Sequence, residues 1–279
     1  MITLFAIPKA FEGEFDAIQE KSIRNWRALH DDIQILLFGD GHRLKTLADQ
    51  VRAEVISSEL RYNSFGTPLV SSAFHEAQAR ARFSTLLYVN SDILFIEGVL
   101  ETIERIRFPS YLAVGKRTDT LKHRGVPDSL DAIDYFIFTR GLYTNIPDFA
   151  IGRCFWDHWL VYAARRDGIP VLDASQTITA LHQTHSYAHA KGGKLGVWTG
   201  DERDANLRLA GGGSHLFTLR DVTHTITQSS IVPVKESFFS FFKENPLFEF
   251  IYDRYFGLKV GAGKWVARIR HSEISLERQ

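Results

Sequence analysis

Asp92 stands where an apolar run over residues 86–89 stops, and Asn90, Ser91 and Asp92 intervene before residues 93–96 resume it. An ionised carboxylate at the end of a buried strand must face a cleft, be paired, or bind a cation. Side chains two apart on a strand share a face, so Asn90 and Asp92 point the same way and together suit a divalent ion and a ribose. An acid that merely caps a turn is the plainer alternative. His182, His185 and His189 fall within eight residues, a set that suits a metal ligand with hydrogen-bonding partners for phosphate. Their spacing is no zinc motif, and three unrelated surface histidines would look the same. Asp157, flanked by Trp156 and Trp159 at a predicted helix start, would be favoured there by the helix dipole alone. An acid between indoles is also how a sugar is gripped, its ring on the indole and a hydroxyl proton on the carboxylate. Arg153, just upstream, suits a phosphate or a carboxylate.

Asn63, Gly66 and Thr67 lead through Pro68 into a predicted helix over residues 67–82. Helix N-termini bind anions and glycine admits close backbone approach, while Thr67 as N-cap with Pro68 in the first turn explains the same residues. Lys9 and Phe11, after the first strand, are placed to reach a base or a phosphate. Lys116 and Arg117 add local positive charge. Asp134 either binds a polar ligand or only starts a strand.

The elements that must position these side chains alternate over the first 120 residues. Short apolar runs predict strands over residues 3–7, 33–38, 53–57 and 86–89, and helical spacing predicts helices over 15–30, 44–51 and 67–82. Such alternation implies a mostly parallel sheet flanked by helices, where ligands gather at the carboxyl ends of strands. Further on, strands are predicted over 111–115, 135–139 and 171–174, with a helix over 156–166. Residues 183–215 are rich in glycine and predict a long loop suited to a lid. From Phe238 the chain is crowded with aromatic residues among Lys and Arg, which predicts a helical C-terminal extension packed on the core or in a homodimer. The alternative is an anionic membrane surface, which would place the protein peripherally at the inner face of the membrane. We therefore expect two parts, a domain over 1–225 and an extension over 226–279.

Composition narrows the function classes. The 279 residues are 44% apolar and 24% charged, typical of a globular protein. Thirty-three basic residues balance thirty-three acidic ones, so the whole chain has no pull towards nucleic acid. A single cysteine, Cys154, excludes an intramolecular disulfide and a cysteine-based zinc cluster, leaving metal chemistry to Asp, Glu and His. The apolar stretch near the N-terminus is shorter than a signal-peptide core, and no run approaches a membrane span, so a soluble cytoplasmic protein is expected.

In this order the pieces resemble the GT-A-type glycosyltransferases, the nucleotide-diphospho-sugar transferase fold. Residues 88–93 match the segment in which an Asp-X-Asp motif ends a central strand, with Asn90 in the first place and Asp92 kept in the second. The chain is more closely similar to a group of bacterial and plant glycosyltransferase-like proteins, through segments 7–9, 38–40, 66–69, 90–93, 134–136, 151–153 with 156–157, 182–189 and 218–221. This resemblance implies an α/β fold and a nucleotide-sugar donor, UDP- or GDP-linked. It also implies a glycan or lipid-linked acceptor, and Mn²⁺ or Mg²⁺ held by Asp92 with His185 and His189. It implies Asp157 as catalytic base of an inverting transfer. Lys9, Asn63, Gly66, Thr67, Asn90 and Ser91 would then face the nucleotide, and Asp134, Arg153, Trp156, Trp159 and His182 the sugar or acceptor. Nucleotidyl transfer to sugar phosphates shares the architecture but needs a Gly-rich basic loop after the first strand, which residues 8–13 do not supply. A nucleotide-sugar binding protein without turnover is the non-catalytic alternative.

Overall fold

A computed structural model of the chain describes residues 1–119, 132–186 and 199–235, together with Ile251 and Arg254. The aromatic extension from Phe238, apart from those two positions, and His189 lie outside the described residues, as does the part of the glycine-rich stretch over residues 187–198. Among the described residues no helix is long and apolar enough to cross a membrane.

The first half follows the predicted alternation. Strands β1 (Thr3–Ala6), β2 (Gln34–Phe38), β3 (Glu54–Ile56) and β4 (Thr85–Val89) alternate with helices α1 (Glu14–Leu29), α2 (His42–Val51) and α3 (Val70–Arg80). These four strands pair in parallel in the order β4-β1-β2-β3. Successive residues serve opposite faces: Phe5 and Tyr88 pack with α3 on one side, Leu4 and Leu87 with α1 and α2 on the other. Both faces are therefore apolar, as a sheet covered on both sides requires.

The predicted helix start at Thr67 is corrected. Thr67 and Pro68 lie outside α3, because Pro68 bridges to Tyr62 and Leu69 to Ala150 as extended chain, and the Val70 amide donates to the Phe149 carbonyl.

The second half is mixed. After β4 come β5 (Ile93–Glu97), α4 (Val99–Arg105), β6 (Leu112–Asp119), β7 (Ile133–Thr139), α5 (Trp156–Arg166), β8 (Val171–Asp173), β9 (Thr179–His182), α6 (Asp201–Ala210), a 3-10 turn (Leu219–Asp221), β10 (His224–Ile226) and β11 (Ile231–Pro233). β7 lies antiparallel between β4 and β6, and the sheet continues through β8 and β10 to β11, across the boundary drawn at residue 225. The glycine-rich stretch is not all loop: α6 occupies ten of its residues, with Gly211 as a left-handed C-cap.

β6 bends out of the main sheet. Its register shifts between Val114 and Lys116, and its outer residues pair with β9, which also pairs with β5. Gly115 sits at the bend, where a Cβ would lie 1.9 Å from the Tyr135 hydroxyl, so no side chain fits. α1 closes the other edge of β5: Asn25 bonds both the amide and the carbonyl of Phe95, and Trp26 Nε1 donates to the Ile93 carbonyl. Backbone groups left unpaired by the sheet are thereby satisfied.

Candidate functional site

The turn after β4 is fixed from three directions. The Asn90 amide donates to the Asp134 carbonyl, the Gln183 amide to the Asp92 carbonyl, and the buried Ser91 hydroxyl to Gln19 Oε1 on α1. Gln19 also brackets Lys9, accepting from its amide at 2.6 Å and donating to its carbonyl at 3.1 Å, so the ends of β1 and β4 are tied together. β9 returns beside β5 with His182 opposite Ile93, and the chain continues through Gln183 to His185. Gln183 is anchored by Ser22 and the Ile18 carbonyl on α1.

This framework gathers Asp92, His182 and His185, whose ligand atoms all lie within 4.8 Å of one another. Asp92 Oδ2 is 3.0 Å from His185 Nε2 and 3.7 Å from His182 Nε2. Asp92 Oδ1 is buried and has no hydrogen-bond partner among the described residues. His185 Nδ1 lies 2.6 Å from the Ser186 carbonyl, so that nitrogen carries the proton. A neutral His185 would then turn a lone pair towards the Asp92 carboxylate, an arrangement relieved by a second proton or by a cation between them. Burial raises the Asp92 carboxyl, but the two imidazoles beside it, His182 and His185, overcome that and hold the group far below the carboxylate range. The bond to Asp92 raises His185 against its own burial. Two imidazoles and a carboxylate whose second, buried oxygen is orphaned fit a divalent first-row cation, whose ligand atoms at about 2.1 Å must stand roughly 3 Å apart.

Around this cluster lies a ring of charge. Asn90 Nδ2 donates to Asp134 Oδ1 at 2.6 Å, and Arg117 Nη1 pairs Asp134 Oδ2 at 2.6 Å. Arg117 Nε is 3.3 Å from Asp119 Oδ1, which is itself 2.9 Å from His182 Nδ1. Burial raises the Asp134 carboxyl despite Arg117. Lys9, its ammonium 4.5 Å from the Phe15 ring centroid, is lowered by burial against the pull of Asp92, Glu14 and Asp134.

Asp157 belongs to the same neighbourhood through Tyr88. Burial raises the Tyr88 phenol, and Asp92, Asp134 and Asp157 each raise it further. Its hydroxyl donates to Asn90 Oδ1 at 2.9 Å, while its ring meets that of Trp156 edge to face. Asp157 Oδ1 is buried with no hydrogen-bond partner among the described residues. Phe155, directly before α5, holds φ 89°, a conformation that costs a bulky residue about 1–3 kcal/mol. Trp156 and Trp159 are core residues, 5% and 6% exposed, packed on Tyr88, Phe136 and Phe149 rather than laid open as sugar platforms.

Asn63, Thr67 and Arg153 meet at a residue that sequence reasoning missed, Glu202 on α6. Asn63 Nδ2 donates to Glu202 Oε1 at 2.8 Å, Arg153 Nη2 reaches Oε2 at 2.7 Å, and the Thr67 side chain also bonds the carboxylate. Asn63 Oδ1 accepts from the amides of Phe65 and Thr67, and Gly66 turns the loop at φ 79°. Asn206, one helical turn on from Glu202, bonds the Ala150 amide and carbonyl and the Cys154 carbonyl.

The structure thus brings Lys9, Asn90, Ser91, Asp92, Asp134 and His185 together, and places His182 beside Asp92 and His185. Asp119 was missed because it lies at the end of a strand predicted to stop at residue 115. Gln19 was missed because polar residues on the buried stripe of α1 break its apolar pattern.

No known family profile matches the chain, and no curated protein matches it in sequence. Solved structures do match in shape. TarS 1-349 of S. aureus, in complex with UDP-GlcNAc, aligns with a TM-score of 0.50 at 12% identity, over 75% of this chain and 64% of that one. The mannosyltransferase PcManGT of Pyrobaculum calidifontis, with GDP-Man and Mn²⁺, gives 0.45 at 10% identity over 66% of this chain and 56% of its own. Glucosyl-3-phosphoglycerate synthase of Mycobacterium tuberculosis gives 0.43 at 15% identity, over 66% and 72%. The chain has a GT-A-type fold, a likeness of shape, and it spans less than two thirds of the TarS fragment.

Proposed function

We propose that the chain is a metal-assisted glycosyltransferase that moves a hexosyl group from a UDP- or GDP-sugar to a hydroxyl of a glycan or lipid-linked acceptor, with inversion. Surface polysaccharide or glycoconjugate synthesis at the cytoplasmic side of a membrane is the setting such a reaction fits. The observation that carries this reading is the Asp92, His182 and His185 cluster beyond the carboxyl end of β4 in a GT-A-type sheet. In such sheets the crevice outside the strand ends is where ligands bind.

Asp92, His182 and His185 hold the cation, and the two imidazoles favour Mn²⁺ over Mg²⁺. A bound cation supplies charge neutralisation of the diphosphate as it leaves. Lys9 meets a phosphate oxygen, Asn90 and Ser91 shape the nucleotide side of the turn, and Asn63, Gly66 and Thr67 border it from the loop before α3. Asp134 and Arg153 face the sugar and acceptor, with Trp156 and Trp159 bracing the Asp157 turn from the core. Asp157 takes the acceptor hydroxyl proton as that oxygen bonds to the anomeric carbon and the bond to the diphosphate oxygen breaks. The products are the glycoside and the nucleoside diphosphate.

The test is nucleotide release from UDP-, GDP-, CMP- and dTDP-sugars, with Mn²⁺ or EDTA, by wild type and Asp92→Ala. Metal-dependent release from one donor, reduced at least ~10²-fold by the substitution, is expected. Donor binding by calorimetry without release, with any acceptor hydroxyl supplied, would turn the reading towards a binding protein.

A further inference from the structure

We propose that Asp119 is a positioning residue that orients His182 for the cation, an assignment that rests on reading Asp92, His182 and His185 as the cation site. The backbone brings the two together. β6 and β9 pair in parallel with Arg117 opposite Ala180, Thr118 opposite Leu181 and Asp119 opposite His182. Directly opposed residues on neighbouring strands project from the same face, within reach of each other. Asp119 Oδ1 stands 2.9 Å from His182 Nδ1, an ion-pair contact with a buried nitrogen that has no hydrogen-bond partner among the described residues.

The chemistry follows from the two ring nitrogens. A neutral imidazole has one N–H and one lone pair, and whichever nitrogen donates decides which can ligate. A carboxylate beside Nδ1 favours the tautomer that keeps its proton on Nδ1 and leaves the lone pair on Nε2, the nitrogen 3.7 Å from Asp92 Oδ2. That gap is long for a hydrogen bond and suits two ligand atoms of one ion. Arg117 holds Asp119 in turn, with Nε at 3.3 Å and its other end on Asp134 at 2.6 Å. The bend at Gly115 is what carries the outer part of β6 from the main sheet to β9. Asp119 is thus an outer partner of the cation, supplied by a strand that the Asp92 turn does not include.

The experiment measures Mn²⁺ affinity of the full chain by titration calorimetry, without any sugar donor. Asp119→Ala is expected to weaken binding ~10–100-fold, the cost usual for losing a ligand's outer partner. Asp119→Asn, whose amide oxygen still accepts a hydrogen bond, loses less, and being isosteric it keeps the test usable if the alanine variant is poorly folded. In a His182→Ala background Asp119→Ala adds no further loss. Imidazole ¹⁵N shifts of the metal-free protein report His182 with its proton on Nδ1 in wild type, and a mixture in Asp119→Ala. Affinity within twofold of wild type in Asp119→Ala, or an equal loss with and without His182, overturns the assignment. Wild type that binds no Mn²⁺ overturns the cation site itself, an outcome distinct from failure at Asp119 alone.

Discussion

Asp119 and His182 stand side by side because two strands are hydrogen bonded in register, whereas Arg153 and Glu202 meet only because two side chains reach across from a turn and a helix. The first arrangement is held by main-chain bonds on both sides of β9 and by α1 behind it. The second is held by Glu202, which Asn63, Thr67 and Arg153 share, and by Asn206 one turn further along α6. A cation site needs ligand atoms fixed to fractions of an ångström, which a sheet provides. A site that must admit and release a substrate is better framed by contacts that can be exchanged, and side-chain bonds can.

Substitutions on each side should separate the two regions. If Asp157 is the base of the proposed transfer, the largest effect is expected there: Asp157→Asn should lower glycosyl transfer ~10²–10⁴-fold while Mn²⁺ affinity stays within twofold, because a base acts on the acceptor and not on the cation. Equal loss of Mn²⁺ binding would move Asp157 into the cation cluster. Next comes Gly115→Ala, which drives a methyl into the Tyr135 hydroxyl and should destabilise by about 1–3 kcal/mol in denaturant unfolding and weaken Mn²⁺ binding as well. Glu202→Ala leaves Arg153 charged in a site where its side chain is only 16% exposed, and should cost about 2 kcal/mol in the same assay. It should leave Mn²⁺ affinity unchanged, and a parallel loss there would mean the two regions are coupled.

The smallest effect concerns pH. Asp92 is held below its ordinary value of 3.8, so its contribution to stability is complete above that value and fades as pH falls through the depressed one. His185 is raised above its ordinary 6.5, so its contribution is complete below 6.5 and fades as pH rises through the raised value. Metal-free protein should therefore melt highest between about pH 4 and 6.5. His185→Gln should flatten the decline above that window, and saturating Mn²⁺ should move the optimum upward, since the cation competes with protons for the imidazole.

The order of elements through β4, and the break at Asn90 to Asp92, were legible in the sequence because both are local patterns: apolar period two, apolar period near 3.6, and a polar interruption. The helix from Trp156 to Arg166 was legible for the same reason. What escaped were elements too short or too polar to carry a period. β9 has four residues, and α6 is charged over much of its length. With β9 unseen, His182 could not be set beside Asp119, and with α6 unseen, Glu202 could not be set against Arg153. Composition and spacing fixed that Asp92 ends a buried strand and that histidines lie nearby along the chain. Only the tertiary structure decided which imidazoles face the carboxylate, because strand register and the bend at Gly115 join residues far apart in the chain, and no periodicity records them.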